Sequence, residues 1–402
     1  DRDSLTLGSV TYNGLTAKDA QWLLGKSPLK GGARISGKTL EDEVTRFYNT
    51  AAFQSVTYLL KGREEPFDLE LNFVDGRPSA MGLGFRFDSE EVAAILLGVT
   101  INENTLYGSK FSVKAKLAYN MQAEFRYTYA FPSLAQFFTA YKVRSSNLNI
   151  LNSGMVSNMG FTEHSIIAGF ASRKSRDVAI EAGARLDIYD HRRLLTESEI
   201  LSTYDPDLKR NKFFRAYGRV EVDRRDQPYF PKRGFDFNSR FDYYLNSPFG
   251  DQVNFSTLQS NFMAVAPMGD RLALLFNLNN RTIMGTHTPL ITGNFMGGYL
   301  EERYLDQQIP FCGFSHTHLF RDVLSIASLD ARYRFLDNHY VFATASVAKD
   351  FEKLSEMFAE PLVIGARIGY SYNSVIGPLS ANIFWSNYTG RVGAYLSIGH
   401  AF

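Results

Sequence analysis

The chain has 402 residues and a formal charge of +1, from 43 Lys and Arg against 42 Asp and Glu, a balance that implies no polyanionic partner such as nucleic acid. No apolar run reaches the roughly 18 residues that cross a bilayer as a helix, so membrane crossing must be by strands, and the mean hydropathy of -0.20 fits weakly apolar spans. The lone Cys312 excludes an intrachain disulfide, while 22 Tyr and 33 Phe supply the material of interfacial aromatic girdles.

Residues 1–77 read as one small α+β domain. An apolar strand from Leu5 to Tyr12 leads through Gly14 to a helix start at Thr16-Ala-Lys-Asp19, where a hydroxyl and a carboxylate meet free amides. A second start at Thr39-Leu-Glu-Asp42 places Leu40, Val44, Phe47 and Ala51 on one helical face. Strands from Phe53 to Leu60 and from Phe67 to Val74 follow, closed by Asp75-Gly76. The chain opens on Asp1 with neither Met nor an apolar leader, so an upstream segment is expected to have been removed.

From residue 78 onward the pattern changes to a period of two. Phe111, Val113, Ala115, Leu117 and Tyr119 alternate with Ser112, Lys114 and Lys116; Ala123, Phe125, Tyr127 and Tyr129 alternate with Gln122, Glu124, Arg126 and Thr128. Val178, Ile180, Ala182, Ala184, Leu186 and Ile188 oppose Glu181, Gly183, Arg185 and Asp187, and the last strand carries Val392, Ala394, Leu396, Ile398 and Phe402 on one face. Such alternation puts one set toward lipid and the other toward a wet interior, and strands satisfy their backbone in lipid only when the sheet closes on itself. The fold class is therefore mainly β: a transmembrane antiparallel barrel over 78–402.

About sixteen strands are predicted, near 79–88, 91–103, 105–120, 121–133, 136–149, 156–173, 176–190, 210–224, 233–246, 252–267, 270–284, 321–336, 339–350, 362–374, 377–388 and 391–402. An even count returns both ends to one side of the membrane. With the first strand outward-going, the tight turns near 104, 134, 174, 268, 337 and 376 share the periplasmic side. The long connections 191–209, 286–320 and 351–361 share the other.

Between the eighth and ninth strands runs Asp223-Arg-Arg-Asp-Gln-Pro-Tyr-Phe-Pro-Lys-Arg-Gly234. Pro228 and Pro231 cannot sit inside a paired strand, and Gly234 permits tight re-entry, so a structured turn is expected, with Asp223, Pro231, Arg233 and Gly234 as its marks. This Asp-Arg…Phe-Pro-x-Arg-Gly pattern resembles a recurrent turn of the POTRA-barrel superfamily, which includes outer-membrane assembly insertases and two-partner secretion transporters. Residues 1–77, with their strand-helix-helix-strand-strand order and the phrase RFYNTAAFQSV, resemble a POTRA domain, the periplasmic module that precedes such barrels.

The resemblance makes 286–320 the sixth extracellular loop, which in that superfamily folds into the barrel and carries a Val-Arg-Gly-Phe/Tyr tip. Here the stretch runs from Gly297-Gly298 through Arg303 to Phe311-Cys312-Gly313-Phe314, with Cys312 in place of the family arginine. That arginine pairs, in relatives, with an inward acid of a Phe-x-Asp-x-Gly pattern on the thirteenth strand; this chain has Phe342-x-Thr344-x-Ser346. Losing one partner would leave a confined charge at a cost of about 3–5 kcal/mol, whereas losing both together costs little. Arg303 is read as a solvated loop arginine, with a substitute cation as the alternative.

A Gly-Gly stretch, Arg, Gln-x-Pro-Phe and Gly without the tip arginine, behind a single POTRA-like domain, is similar to the barrels of patatin-like outer-membrane phospholipases. Their hydrolase domain needs a Gly-x-Ser-x-Gly elbow. Gly25-Lys-Ser27 and Gly369-Tyr-Ser371 do not continue to a second Gly, and Asp75-Gly76 is a turn, so no catalytic residue is expected in this chain. No cofactor or metal is expected either; His316 and His318 alternate but are read as polar loop residues. Glu124, Glu181, Asp187, Glu221 and Asp223, with Lys114, Lys116, Arg126, Arg185, Arg215 and Arg219, are read as a neutralising interior network.

The function implied is the membrane anchor or translocator part of a patatin-like phospholipase-type protein in the bacterial outer membrane, with the N-terminal domain in the periplasm. The alternative is a stand-alone POTRA-barrel transporter, insertase or secretion pore. Expected partners are outer-membrane lipid, the barrel assembly machinery reading Leu396, Ile398 and Phe402 during insertion, and a hydrolase domain or periplasmic protein docked on the POTRA-like sheet. A homodimer is a further option.

Overall fold

The computed structural model describes residues 4–49, 53–76, 79–102, 108–131, 135–152, 155–172, 177–195, 210–227, 229–286, 288–352 and 361–399. The N-terminal unit runs β1 (Ser4–Asn13), α1 (Ala17–Lys26), β2 (Arg34–Ser36), α2 (Gly37–Asn49), β3 (Phe53–Lys61), β4 (Phe67–Asp75). Its sheet has the order β2-β1-β4-β3, with β1 parallel to β4. Leu7, Leu23, Leu29, Leu40, Phe47, Phe53, Leu69 and Leu71 form its core. Thr16 caps α1 as expected, its Oγ accepting from the Asp19 amide at 3.2 Å. Helix α2 starts earlier than Thr39 because Ser36 is the better-placed acceptor, taking the Thr39 amide at 3.0 Å. Ala51 lies outside the described residues.

The wall of the barrel is built from β5 (Ala80–Asp88), β6 (Val92–Asn102), β7 (Gly108–Ala118), β8 (Met121–Ala130), β9 (Ala135–Asn152), β10 (Met155–Ser172), β11 (Val178–Leu195) and β12 (Arg210–Asp223). It continues with β13 (Gly234–Leu245), β14 (Asn254–Pro267) and β15 (Leu272–Thr286). Two short strands, β16 (Asn294–Met296) and β17 (His318–Phe320), lie off the wall and pair with each other. The wall resumes with β18 (Val323–Leu336), β19 (His339–Phe351), β20 (Val363–Ser374), β21 (Gly377–Ser386) and β22 (Val392–Gly399). These sixteen wall strands form one closed antiparallel sheet, and β22 returns to β5 through Ser397↔Asp88, Ile398↔Phe87 and Gly399↔Arg86.

Alternation sets the two faces. On β10, Ile166 and Phe170 stand 53% and 61% exposed on the outside while Glu163 and Ser165 are buried inside. Strands β9, β10 and β11 are each 18 residues long, well beyond the roughly 9–11 that a tilted strand needs to cross a bilayer, so they project past it at the loop end. β11 thus continues to Leu195, into the segment expected to be loop.

The inner face is polar over part of its height only. Near the loop end Leu148, Ile150, Met159, Phe161, Tyr189, Phe213, Tyr244, Phe255 and Ile283 all face inward and are buried. They are dry because the connection from β15 to β18 folds into the barrel and lays Leu290, Ile291, Phe295 and Leu305 against them.

Candidate functional site: the folded-in loop

The loop enters on Arg281 of β15. Its guanidinium, buried and forming no salt bridge among the described residues, donates to the carbonyls of Gly293 (3.2 Å) and Thr292 (3.0 Å) and to Asn294 Oδ1. Those groups fix the first turn of the loop, and β16 and β17 then make a small hairpin inside the lumen. Gly297 and Gly298 bind the returning strand. The Gly297 amide donates to Ile309 O (2.9 Å), the Gly298 amide to Phe314 O (3.2 Å), and Gln308 Nε2 donates to Gly297 O (2.7 Å).

Two charged anchors hold the loop, and they have opposite signs. Asp306 receives Lys142 (2.7 Å) and Arg144 (2.6 Å) from β9 and Arg185 (2.8 Å) from β11. Burial alone would raise this carboxyl, but the three cations hold it well below the usual range. The network continues along the wall: Arg185 pairs with Glu163 (2.7 Å) and Asp187 (2.5 Å), Arg215 with Asp187 (2.9 Å) and Asp242 (3.2 Å), and Arg240 with Asp242 (2.8 Å). The sequence reading found Arg185, Asp187 and Arg215. It missed Glu163, Arg144, Asp242 and Asp306.

The second anchor is Arg303, and here the expectation of a solvated loop arginine is overturned. Its side chain is 1% exposed and grips the β5–β6 hairpin through Asp88 (2.9 Å), Glu91 (3.2 Å) and Glu90. Arg86 also pairs with Asp88 (2.7 Å) and Glu91 (3.0 Å), and Lys116 with Glu91 (3.1 Å), so three carboxylates meet three cations. Burial pushes the Glu90 carboxyl up to about 7 despite its contact with Arg303. Nearby, the Tyr299 amide donates to Glu90 (3.1 Å), its hydroxyl to Asn382 of β21 (2.8 Å), and its ring stacks on Tyr395 of β22 at 3.7 Å. One short loop segment therefore touches both strands of the closing seam.

The tip stands against the strand that the sequence singled out. Cys312 Sγ donates to Ser346 Oγ at 3.0 Å. Phe311 and Phe314 pack with Leu324, Ile326, Ala348 and Val363. Gly365 of β20 is required for this approach, since a Cβ there would lie 1.8 Å from the Cys312 carbonyl oxygen. Gly313 makes the turn between the two aromatic rings with a φ of 116°.

Thr344, opposite Asp330 and Arg367 in the ladder, joins them: its Oγ donates to Asp330 (2.5 Å) and accepts from Arg367 (3.0 Å), which lies 3.8 Å from Asp330 and above the Phe342 ring. An acid and a base, Asp330 and Arg367, thus stand on the wall strands either side of Thr344.

The turn between β12 and β13 folds under the barrel. Asp223 holds Arg225 (2.8 Å), and Asp226 receives the amides of Lys232 (2.9 Å) and Arg233 (3.4 Å). Gly234 adopts a φ of 109°, where a Cβ would meet the Arg224 carbonyl at 2.1 Å. Phe230, at a φ of 51°, stacks on Tyr340 of β19 with ring centroids 4.6 Å apart, and Arg332 donates to the Pro231 carbonyl. Between this turn and the loop lies a chamber of about 1180 Å³ whose lining includes Lys114, Glu124, Arg219, Asp330 and Arg367.

The remaining expected sites fall as follows. Arg126 pairs with Glu181 (3.3 Å) and Arg219 with Glu221 (3.5 Å) on the inner wall. Leu396 faces outward at 50% exposure and Ile398 shares its face, while Phe402 lies outside the described residues. His318 is buried with its ring 4.4 Å from that of Phe314, and among the described residues no group of three His, Cys, Asp or Glu side chains could hold a metal.

A family model described as the OMP85 superfamily matches residues 111–402. No curated protein sequence matches the chain. Among solved structures, BamA from Haemophilus ducreyi lacking POTRA domains 1–3 is similar at a TM-score of 0.69 and 14% identity, over 99% of this chain and 85% of that one. CdiB from Acinetobacter baumannii is similar at 0.58 and 12% identity, over 98% and 74%. CdiB from Escherichia coli is similar at 0.61 and 12% identity, over 98% and 76%.

Proposed function

The chain belongs to the OMP85 superfamily, and from that premise we propose that it is a polypeptide-handling barrel of the bacterial outer membrane, of the secretion or insertion type, with residues 1–77 as a POTRA-like domain in the periplasm. The observation that carries this reading is the loop. It fills the loop end of the lumen, is fastened there by buried ion pairs of both signs, and leaves a polar chamber of about 1180 Å³ toward the turn end. A barrel built that way keeps its permeability barrier at rest. Any passage through the lumen then requires the loop to leave two charge-matched seats.

The N-terminal sheet supports the same reading. Its edge strand β3 presents Tyr58 (41% exposed) and Leu59 (52%) beside unpaired backbone, the surface on which an extended segment can add as a further strand. The deciding experiment reconstitutes the full chain in vesicles and supplies either an unfolded outer-membrane barrel or an exported polypeptide. Folding or export faster than with empty vesicles is expected for at least one substrate. Equal rates for both sink the proposal.

A second reading, an anchor for a patatin-like hydrolase domain, is favoured by Cys312 and Thr344, which depart together from the charged pair of transporters and insertases. It predicts a Gly-x-Ser-x-Gly motif encoded ahead of Asp1 and phospholipid hydrolysis by the encoded protein. A coding sequence without that motif removes it.

A further inference from the structure

We propose that the turn end of the barrel carries a binding site for the phosphate of an anionic phospholipid, between the inserted β12–β13 turn and the β14–β15 hairpin. The proposal rests on the membrane reading above in one respect, that this rim lies at the level of the headgroups. A cavity of about 530 Å³ opens there, on the scale of one small ligand. Four cations line it, Lys232, Arg271, Arg332 and Arg334, against one acid, Asp270.

These cations differ from the salt-bridged arginines of the inner wall. Arg185, Arg215 and Arg303 each meet two or more carboxylates. Arg332 and Arg334 instead donate to main-chain carbonyls, of Pro231 and of Asp270 (3.1 Å), and among the described residues none of the four rim cations forms a salt bridge. Four cations share the cavity with the one carboxylate of Asp270, so positive charge is in excess there and an anion offsets it. Phosphate oxygens suit the paired N–H groups of arginine.

The walls identify the source of the anion. Pro267, Leu272 and Ala273 line the cavity together with the stacked Phe230 and Tyr340, and the Arg332 guanidinium lies over both rings. Met268, at the tip of the hairpin, is 57% exposed and continues that surface outward. A polypeptide would need free backbone groups to register against, but the rim uses its own: the Met268 amide donates to Leu272 O (2.8 Å) and the Arg334 amide to Arg271 O (2.8 Å). A headgroup needs only the cations and the apolar wall. Phe230 builds the site by holding a left-handed φ of 51°, which costs about 1–2 kcal/mol in a residue with a side chain.

The test uses the full chain in neutral detergent, with bound lipid counted by native mass spectrometry. Dioleoylphosphatidylglycerol should bind saturably and dioleoylphosphatidylcholine should not. Lys232→Gln with Arg271→Gln should weaken binding about thirtyfold, while Lys232→Arg with Arg271→Lys keeps it, both variants remaining heat-modifiable barrels. Equal binding of the two lipids, or unchanged phosphatidylglycerol binding by the Gln variant, overturns the proposal. So does inorganic phosphate binding as tightly as the lipid, which marks a free-anion site, or displacement of the lipid by an acidic peptide at lower concentration. None of these results bears on whether the barrel moves polypeptides, which the vesicle assay reads separately.

Discussion

Replacing Arg303 by Gln is the sharpest test of the clamped loop. The cluster at the β5–β6 hairpin is balanced, with Asp88, Glu90 and Glu91 facing Arg86, Lys116 and Arg303, and the side chains of both acids and arginines are at most 8% exposed. Above pH 7, where Glu90 is ionised, the variant leaves one carboxylate in excess where water cannot solvate it, which costs about 3–5 kcal/mol. That cost falls on the docked loop, because releasing the loop lets water reach the hairpin, so the undocked population should rise roughly a hundredfold to several thousandfold. Single-channel recording in planar bilayers reads this directly, as long closed intervals giving way to frequent openings. Adding Glu90→Gln restores two acids against two bases and should return most of the closed time. If Arg303→Gln conducts like the parent, the arginine is not a clasp, whatever its burial.

Acidity should act through the same residue: burial raises Glu90 to about 7, so the docked state holds a proton that the released state gives up. Loop docking is therefore tightest below about pH 4.5 and loosens as the pH rises through 7, by an amount on the order of 3 kcal/mol; openings should grow between pH 5 and 8, and Glu90→Gln should abolish that trend. Gly365→Ala forces a Cβ into the Cys312 carbonyl, so maleimide should label Cys312 in the variant and leave the buried parent thiol nearly untouched, equal labelling refuting the tip contact. Phe230→Ala removes the stack on Tyr340 while keeping the strained turn, and should lower the urea midpoint of unfolding by the equivalent of about 1–3 kcal/mol, with Phe230→Gly milder because it sheds the strain. Thr344→Asp adds a second carboxylate 2.5 Å-scale close to Asp330 with only Arg367 to share, so less folded barrel is expected by gel shift, and Cys312→Arg in the same chain should restore it.

The wall was legible because its signal is local. A period of two names the outward residues strand by strand, as Ile166 and Phe170 show, and turn residues such as Pro231 and Gly234 mark the ends. Capping was legible for the same reason at Thr16, and was misplaced at α2 only because Ser36 also offers a hydroxyl three residues from an amide. What could not be read were contacts between loop and wall. Arg303 meets Asp88 across 215 residues and Asp306 meets Arg144 across 162, and nothing in a loop rich in charge distinguishes a clasp from a solvated side chain. The Asp330, Thr344 and Arg367 grouping was hidden differently: each residue stood in a correctly predicted strand, but only the ladder register shows that they are neighbours.

The two anchors also explain how the loop dispenses with an arginine at its tip. Arg303 and Asp306 are three residues apart, yet one is seated on the β5–β6 hairpin and the other on β9 and β11. The short stretch between them therefore spans a chord of the lumen, held at one end by an acidic seat and at the other by a basic one. A loop shifted along that chord, or reversed, would bring Asp306 toward three carboxylates or Arg303 toward Lys142, Arg144 and Arg185, and each mismatch is repulsive in a dry site. Opposite charges at fixed spacing thus select a single docking register by themselves. The tip is left to make short-range packing and one thiol hydrogen bond, a task for which Cys312 against Ser346 suffices.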